Sequence, residues 1–170
     1  MDWPSNNPDS IMSVIKQYCE EDRVTYRDIH ESLIGAGFQC KVLTYQLYVE
    51  AHEELRQVRV LAMWPTLIAA EKRGVVAEYL SRANWGLMLG NFEMNFDVGE
   101  VRYRTSLDVE GGVLTPKMVK TQVEVNLGTI DKYANGLLSI LFAGVTPTEA
   151  IAEVNATNAV KQLAAQAAMN

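Results

Sequence analysis

The strongest indication of the fold lies in residues 91–109, NFEMNFDVGEVRYRTSLDV. Two alternating runs flank Val98-Gly99, which is typical of a turn between paired strands. Successive side chains of a strand point to opposite faces, so alternation predicts one buried face. The positions predicted to face the core are Phe92, Met94, Phe96, Val101, Tyr103, Thr105, Leu107 and Val109. The stretch therefore predicts an antiparallel hairpin.

A second hairpin is predicted upstream. Apolar residues again alternate with polar ones in 43–49 and in 58–64, on either side of the polar segment 52–56. A further strand is predicted within 29–38, although its two glycines weaken that prediction. The strands thus arrive in two groups.

Four helices are predicted from apolar residues at helical spacing. They span residues 8–22, 68–87, 116–143 and 147–155. Asn7-Pro8 and Thr115-Pro116 each combine a capping side chain with a proline in the first turn. Thr146 and Glu149 have the spacing of a capping box.

The element order α-βββ-α-ββ-α-α predicts an α+β fold, an antiparallel sheet of about five strands flanked by helices. We expect the strand groups near 29–64 and 91–110 to pair in one sheet. The helices at 8–22 and 116–143 should pack on it, because an apolar stripe needs a partner surface. One domain is expected over 1–156, followed by an Ala-rich tail at 157–170 that is either helical or frayed.

Composition excludes several classes of function. With 48% hydrophobic and 21% charged residues, the chain matches a globular protein. Its net charge of −6 works against nonspecific binding to nucleic acid and to anionic membranes. The polar N-terminus and the lack of a long apolar segment predict a cytoplasmic protein without a signal peptide. Cys19 and Cys40 are expected to be reduced and buried.

No recognisable catalytic or metal-binding motif is present. His30 and His52 are the two histidines, and neither has a second ligand at a metal-binding spacing. The sequence also lacks a nucleophile elbow and a phosphate-binding glycine loop. The acidic residues around the late hairpin are expected to form a solvated face with Arg102 and Arg104. We therefore predict no enzyme activity, no cofactor and no metal.

Other side chains near the hairpins are expected to serve the fold. The aromatic and Met residues assigned to the core are Trp64, Trp85, Phe92, Met94 and Phe96. Asn84, near the end of the second helix, is expected to tie that helix to a neighbouring backbone through its amide.

Five short motifs follow one another between residues 63 and 116. They are MWP at 63–65, KRGVVAEYLSRAN at 72–84, LGNFE at 89–93, DVGEVRYR at 97–104 and LTP at 114–116. In this order, the segment from Pro65 to Ile151 resembles the YbjN family of bacterial sensory transduction regulators. Residues 11–61 resemble it more loosely. Val98 departs from the family pattern, in which a polar turn residue is more usual.

The resemblance implies the fold of the type III secretion chaperones, an α+β sheet with flanking helices that is commonly dimeric. It implies a bacterial regulator or chaperone-like module that acts through protein contacts. It implies no enzymatic activity. The first functional hypothesis is thus a non-enzymatic protein-binding module, regulatory or chaperone-like, that forms a homodimer and binds an unidentified protein partner. The alternative is a small-molecule-sensing domain with an apolar pocket.

The strand pattern also predicts a candidate binding surface on the sheet face opposite to the core. The late hairpin places Glu93 and Asn95 there, and the early hairpin adds further residues. The residues predicted to bind a partner are Tyr48, Arg59, Leu61, Met63, Arg102 and Arg104. Arg, Tyr and Met are enriched at protein interfaces. Alternatively, the second helix or a dimer mate covers this face.

A thermal shift assay tests the expectation that no metal binds. Because a ligand that binds the native state must stabilise it, Zn²⁺ or Mn²⁺ at modest excess should leave the melting temperature unchanged. A rise of several degrees that disappears in His30→Ala or His52→Ala would contradict this expectation.

Overall fold

Six strands form one antiparallel sheet in the computed structural model, which describes residues 10–168. They are β1 (Arg27–His30), β2 (Leu33–Gln39), β3 (Thr44–His52), β4 (Gln57–Met63), β5 (Asn91–Asn95) and β6 (Glu100–Asp108). Their order in the sheet is β1-β2-β3-β4-β6-β5. The two predicted strand groups meet where β4 pairs with β6. The predicted single antiparallel sheet is therefore confirmed.

The helices pack on one side of this sheet. They are α1 (Ile11–Glu21), α2 (Arg73–Asn84), α3 (Pro116–Leu138) and α4 (Pro147–Ala168). α3 lies across β4 and β6, α1 packs on β3 beside α3, and α2 packs on β5. α4 closes the layer against α2 and α3. This arrangement confirms the predicted α+β class.

The strand predicted at 29–38 is two strands, so the sheet has six strands and not about five. β1 and β2 are joined by Glu31-Ser32. Gly35 lies within β2. A Cβ at this position would come within 3.2 Å of both the Gln46 amide and the Tyr48 ring, so a glycine fits there best. The glycine thus allows a close approach and does not interrupt the strand.

The start of α1 differs from the prediction. Asn7 and Pro8 lie outside the described residues, and α1 begins at Ile11 behind the N-cap Ser10, whose Oγ accepts from Ser13 N. The Glu53 carboxylate, from the β3–β4 turn, accepts from the first two helical amides at 2.9 Å each. A helix start needs acceptors for its free amides, and here a residue distant in sequence provides two of them.

The helix starts predicted at Thr115 and Thr146 are confirmed, whereas the second helix, predicted over residues 68–87, spans Arg73–Asn84. Thr115 Oγ1 accepts from Met118 N, and Thr146 forms the capping box with Glu149. α4 then continues to Ala168, beyond the expected end near Asn155. Within the Ala-rich segment at 157–170, the backbone is helical as far as Ala168.

Two buried polar residues on α3 fasten it to the sheet. Asn126 Oδ1 accepts from Ala62 N at 3.1 Å, and its Nδ2 donates to Thr105 Oγ1 at 2.7 Å and to Val60 O. One turn and a half further on, Asp131 accepts from three consecutive amides of the β2–β3 turn, Lys41 to Leu43. Burial makes such bonds costly to lose, because each buried partner would remain unsatisfied.

α2 approaches α3 closely at a glycine. The Tyr79 hydroxyl donates to Tyr133 O at 2.7 Å and lies directly over Gly136. A Cβ at Gly136 would overlap that hydroxyl and come within 2.9 Å of the ring carbon bearing it. Gly128, on the same helix, has open space where its Cβ would be.

These two glycines make a matched pair of variants. Glycine within a helix costs up to about 1 kcal/mol relative to alanine, so Gly128→Ala should raise the free energy of unfolding by up to that amount. Gly136→Ala should lower it by about 1–3 kcal/mol, because Tyr79 must move and its hydrogen bond is strained. Urea unfolding measures both, and equal effects of the two substitutions would contradict the packing described.

Candidate functional site

The six residues predicted to bind a partner lie together on the sheet face opposite to the helices. We call this surface the open face; its central residues are Tyr48, Glu50, Arg59, Leu61, Met63, Glu93, Arg102 and Arg104. Tyr48, Leu61 and Arg104 form one row across three strands. The alternate residues of β4, Val58, Val60 and Ala62, are buried on the helix side.

The predicted alternative that the second helix covers the open face is wrong. α2 buries Tyr79 against α3, and Phe92 of β5 packs edge-on against Tyr133 of α3 on the same side. All four helices of residues 10–168 thus belong to one layer. The other alternative, that a dimer mate covers the open face, stays a prediction.

The centre of the open face is apolar. Leu61 is only 9% exposed although it lies on the side without helices. Its neighbours across the strands are Tyr48 and Arg104, and long side chains of this kind lay their apolar stems over adjacent surface. Met63 is half-buried beside Arg102. On a sheet face in contact with water, the outward positions are normally polar. The apolar side chains of Leu61 and Met63 are therefore unusual on this face.

Ion pairs surround this apolar centre. Arg102 Nε donates to one Glu93 oxygen at 2.7 Å, and Arg104 Nε lies 2.9 Å from the other without the angle of a hydrogen bond. On the other side of Leu61, Arg59 pairs with Glu50 through Nε and a terminal nitrogen. Sequence reasoning placed Arg102 and Arg104 on a solvated face, whereas each is about two-thirds buried and shares Glu93.

The charge of Glu93 depends on its two arginines. Partial burial raises the pKa of Glu93, but the hydrogen bond from Arg102 and the charges of Arg102 and Arg104 outweigh it. The pKa therefore lies below its usual range, and Glu93 is ionised at neutral pH. The carboxylate holds both guanidinium groups at the edge of the apolar centre.

Asn84 ties α2 to the sheet as predicted. Its Oδ1 accepts from Phe92 N at 2.7 Å and its Nδ2 donates to Phe92 O at 3.1 Å, in the way a neighbouring strand would pair. Sequence reasoning missed Arg73, at the start of α2, which donates to Phe96 O and Asp97 O beyond the end of β5. Both side chains satisfy backbone groups along the outer edge of β5.

The prediction that Trp85 and Phe96 belong to the core is wrong. Trp85 is 94% exposed after the end of α2, and Phe96 is 55% exposed in the β5–β6 turn. The alternation stops one residue before Phe96, because Asn95 O accepts from Gly99 N and Asn95 Oδ1 accepts from Asp97 N to form the turn. Trp64 and Phe92 are buried, and Met94 is half-buried on the core side, as predicted.

A concave site lies elsewhere, away from the open face. A cleft of about 770 Å³ separates the β2–β3 turn from α3 and α4. Burial and the nearby Asp131 raise the pKa of the Cys40 thiol that borders it. The buried carboxylate of Asp131 already accepts from three amides and the Tyr45 hydroxyl, so it has little capacity left for a ligand. The cleft therefore gives no support to the predicted small-molecule alternative.

The two histidines contact different residues. His30 Nδ1 contacts Ser32, and His52 Nε2 lies 3.4 Å from Glu50. Within residues 10–168 no group of three or more His, Cys, Asp or Glu side chains is arranged to hold a metal ion. In the same range, every helix is too short or too polar to cross a bilayer.

The fold is thus that of an α+β protein with helices on one side of its sheet. The chain belongs to the YbjN family, described as "putative bacterial sensory transduction regulator", whose model matches residues 7–139. This range includes residues 11–61, where the resemblance seen from the sequence was looser. No curated protein matches the chain. It is also similar to the crystal structure of YbjN from E. coli, described as a putative transcription regulator. The two share 12% identity over 72% of this chain and 93% of the other, with a TM-score of 0.49.

The pairing of Glu93 predicts a pH-dependent contribution to stability. A group whose folded pKa is lowered stabilises the fold above its unfolded pKa, about 4.3 for Glu, and loses that effect as the pH falls through the folded value. Glu93→Gln should therefore lower the free energy of unfolding by about 1 kcal/mol at pH 7 and by less at pH 3.5. Urea unfolding at both pH values measures the difference.

Glu78→Gln is the matched control, because Glu78 pairs with Arg82 on the exposed surface of α2. It should cost only about 0.3–0.5 kcal/mol at pH 7. An effect of Glu93→Gln that is the same at both pH values would show that its charge does not stabilise the hairpin.

Proposed function

We propose that the protein is a non-enzymatic regulatory module that binds another protein through the open face. The observation that carries the proposal is an apolar centre, Leu61 with Met63 and Tyr48, on a sheet face without a helix in residues 10–168. Paired charges surround this centre, as in interfaces with an apolar core and a polar rim. Membership of a family of regulators supports the regulatory role.

The sheet edges are poor candidates for the same task. At β5, Asn84 pairs with both backbone groups of Phe92, and Arg73 binds the carbonyls that follow the strand. At the opposite edge, β1 has only four residues and a register shift between Asp28 and His30. Short, irregular or covered edges resist the addition of another strand. A partner would therefore contact side chains of the open face and would not extend the sheet.

The quaternary arrangement is part of the proposal. The resemblance to type III secretion chaperones favours a homodimer, and the lack of a built catalytic constellation in residues 10–168 favours a binding role. A cytoplasmic location agrees with the net charge and composition. Light scattering of the purified chain tests the homodimer independently of partner capture.

Partner capture with variants of the open face tests the proposed function. Tyr48→Ala with Met63→Ala removes half-exposed contact area and leaves the helix-side core intact. Truncating residues at the centre of an interface commonly costs 2 kcal/mol or more, so capture from native lysate should fall by at least about tenfold. Quantitative mass spectrometry of the captured proteins measures the loss.

The control is Leu55→Ala with Val113→Ala, two exposed apolar residues in loops outside the open face. It should capture the same proteins as the wild type. Circular dichroism checks that both double variants are folded. Equal capture by the wild type and the Tyr48/Met63 variant would refute binding through the open face.

A further inference from the structure

The open face holds two guanidinium groups whose charge is only half neutralised. Arg102 and Arg104 both face the single carboxylate of Glu93, so one positive charge remains within this triad. Each approaches Glu93 through Nε, and their terminal nitrogens donate no hydrogen bond to any described residue. Arg59, in contrast, directs Nε and a terminal nitrogen to the same oxygen of Glu50.

The triad presents these terminal nitrogens in a restrained geometry. A guanidinium group has five N–H donors in a planar fork, and the Nε contact leaves the two terminal nitrogens at its far side. Arg102 and Arg104 lie two residues apart on one strand, so their side chains start roughly 7 Å apart on the same face. Contact with Glu93 restrains both before any ligand arrives, which lowers the entropic cost of binding. Such paired forks suit the planar oxygens of a carboxylate.

The residues on either side of Arg102 and Arg104 favour one orientation of a bound ligand. Toward the centre of the open face, Arg104 is followed by Leu61 and Tyr48 in the same row, and Arg102 is followed by Met63. Toward the β5–β6 turn, Glu100 lies two residues before Arg102 on the same face and would repel an acid. A segment whose acid contacts the arginines is therefore favoured when it continues over the apolar centre.

We propose that Arg102 and Arg104 capture an acidic segment of the partner protein, with an Asp or Glu between the two guanidinium groups. An apolar side chain next to that acid packs on Leu61, Met63 and Tyr48. The inference rests on the proposed function, since it names the chemistry of the partner that the open face binds. One surplus positive charge within the triad, beside an apolar centre and in a chain of net charge −6, does not suit the many phosphates of a nucleic acid.

A peptide array tests this chemistry with the full-length chain. Each probe is a 12-residue peptide with one Asp or Glu flanked by Leu, Met or Phe, and each has a twin with Asn or Gln in place of the acid. The wild type should bind a subset of the acidic peptides at least tenfold more tightly than their amide twins. This preference should weaken as NaCl rises from 0.05 to 0.5 M, because the attraction is electrostatic.

Variants assign the preference to the triad. Arg102→Gln with Arg104→Gln should abolish the acid preference, and Arg82→Gln, on the exposed surface of α2, should keep it. The single variants Arg102→Gln and Arg104→Gln each leave Glu93 with one arginine. They should reduce the preference in part, and they stand in for the double variant should it fail to fold.

Four results would overturn the inference. They are equal binding to acid and amide twins, no binding to any peptide, an acid preference that survives in the double Gln variant, and tighter binding of single-stranded DNA or of a phosphopeptide. The comparison with partner capture separates the two proposals. Loss of capture in the Tyr48/Met63 variant together with full capture by the double Gln variant keeps the open face as the binding site and rejects the acidic segment.

Discussion

The contact between Asn126 and the junction of β4 with β6 is the interaction on which the rest of the structure depends. Its amide bonds to Ala62 N, Val60 O and Thr105 Oγ1, so one buried side chain joins α3 to both hairpin groups. Asp131, on the same helix, holds the turn between β2 and β3. A buried amide or carboxylate tolerates few alternative arrangements, because each lost partner leaves an unsatisfied group. α3 is thereby fixed to one side of the sheet.

The position of α3 determines what the opposite side of the sheet can do. α1 packs beside α3 on β3, α2 meets it through Tyr79 and Gly136, and α4 closes the layer. The helices therefore use the apolar side of every central strand, and the open face has to satisfy its own charges. Glu50 pairs with Arg59, and Glu93 pairs with two arginines, which leaves one positive charge within that triad. The apolar centre at Leu61, Met63 and Tyr48, bordered by more arginine than acid, is the physical basis for the binding role that we propose for this face.

Local chemistry explains which site residues sequence reasoning found and which it missed. The capping roles of Thr115 and Thr146 depend on partners three residues away, so their spacing was informative. Asn84 was also found, because its partner Phe92 lies just beyond the helix end. Glu53 and Asp131 bond to amides some 41 and 90 residues away, and no local pattern marks such pairs. Trp85 was misjudged because aromatic character does not report whether a loop is packed.

The sequence by itself determined most of the strands and helices, though not all of their bounds, and the face to which the strand residues belong, because these follow from periods of two and of 3.6 residues. It thereby grouped the six predicted binding residues on one face before any contact was known. Only the tertiary structure decided that β4 pairs with β6, that every described helix lies on the other side, and that Glu93 is shared by Arg102 and Arg104. Register and helix placement depend on packing between segments far apart in the chain, and side-chain periodicity carries no information about that packing.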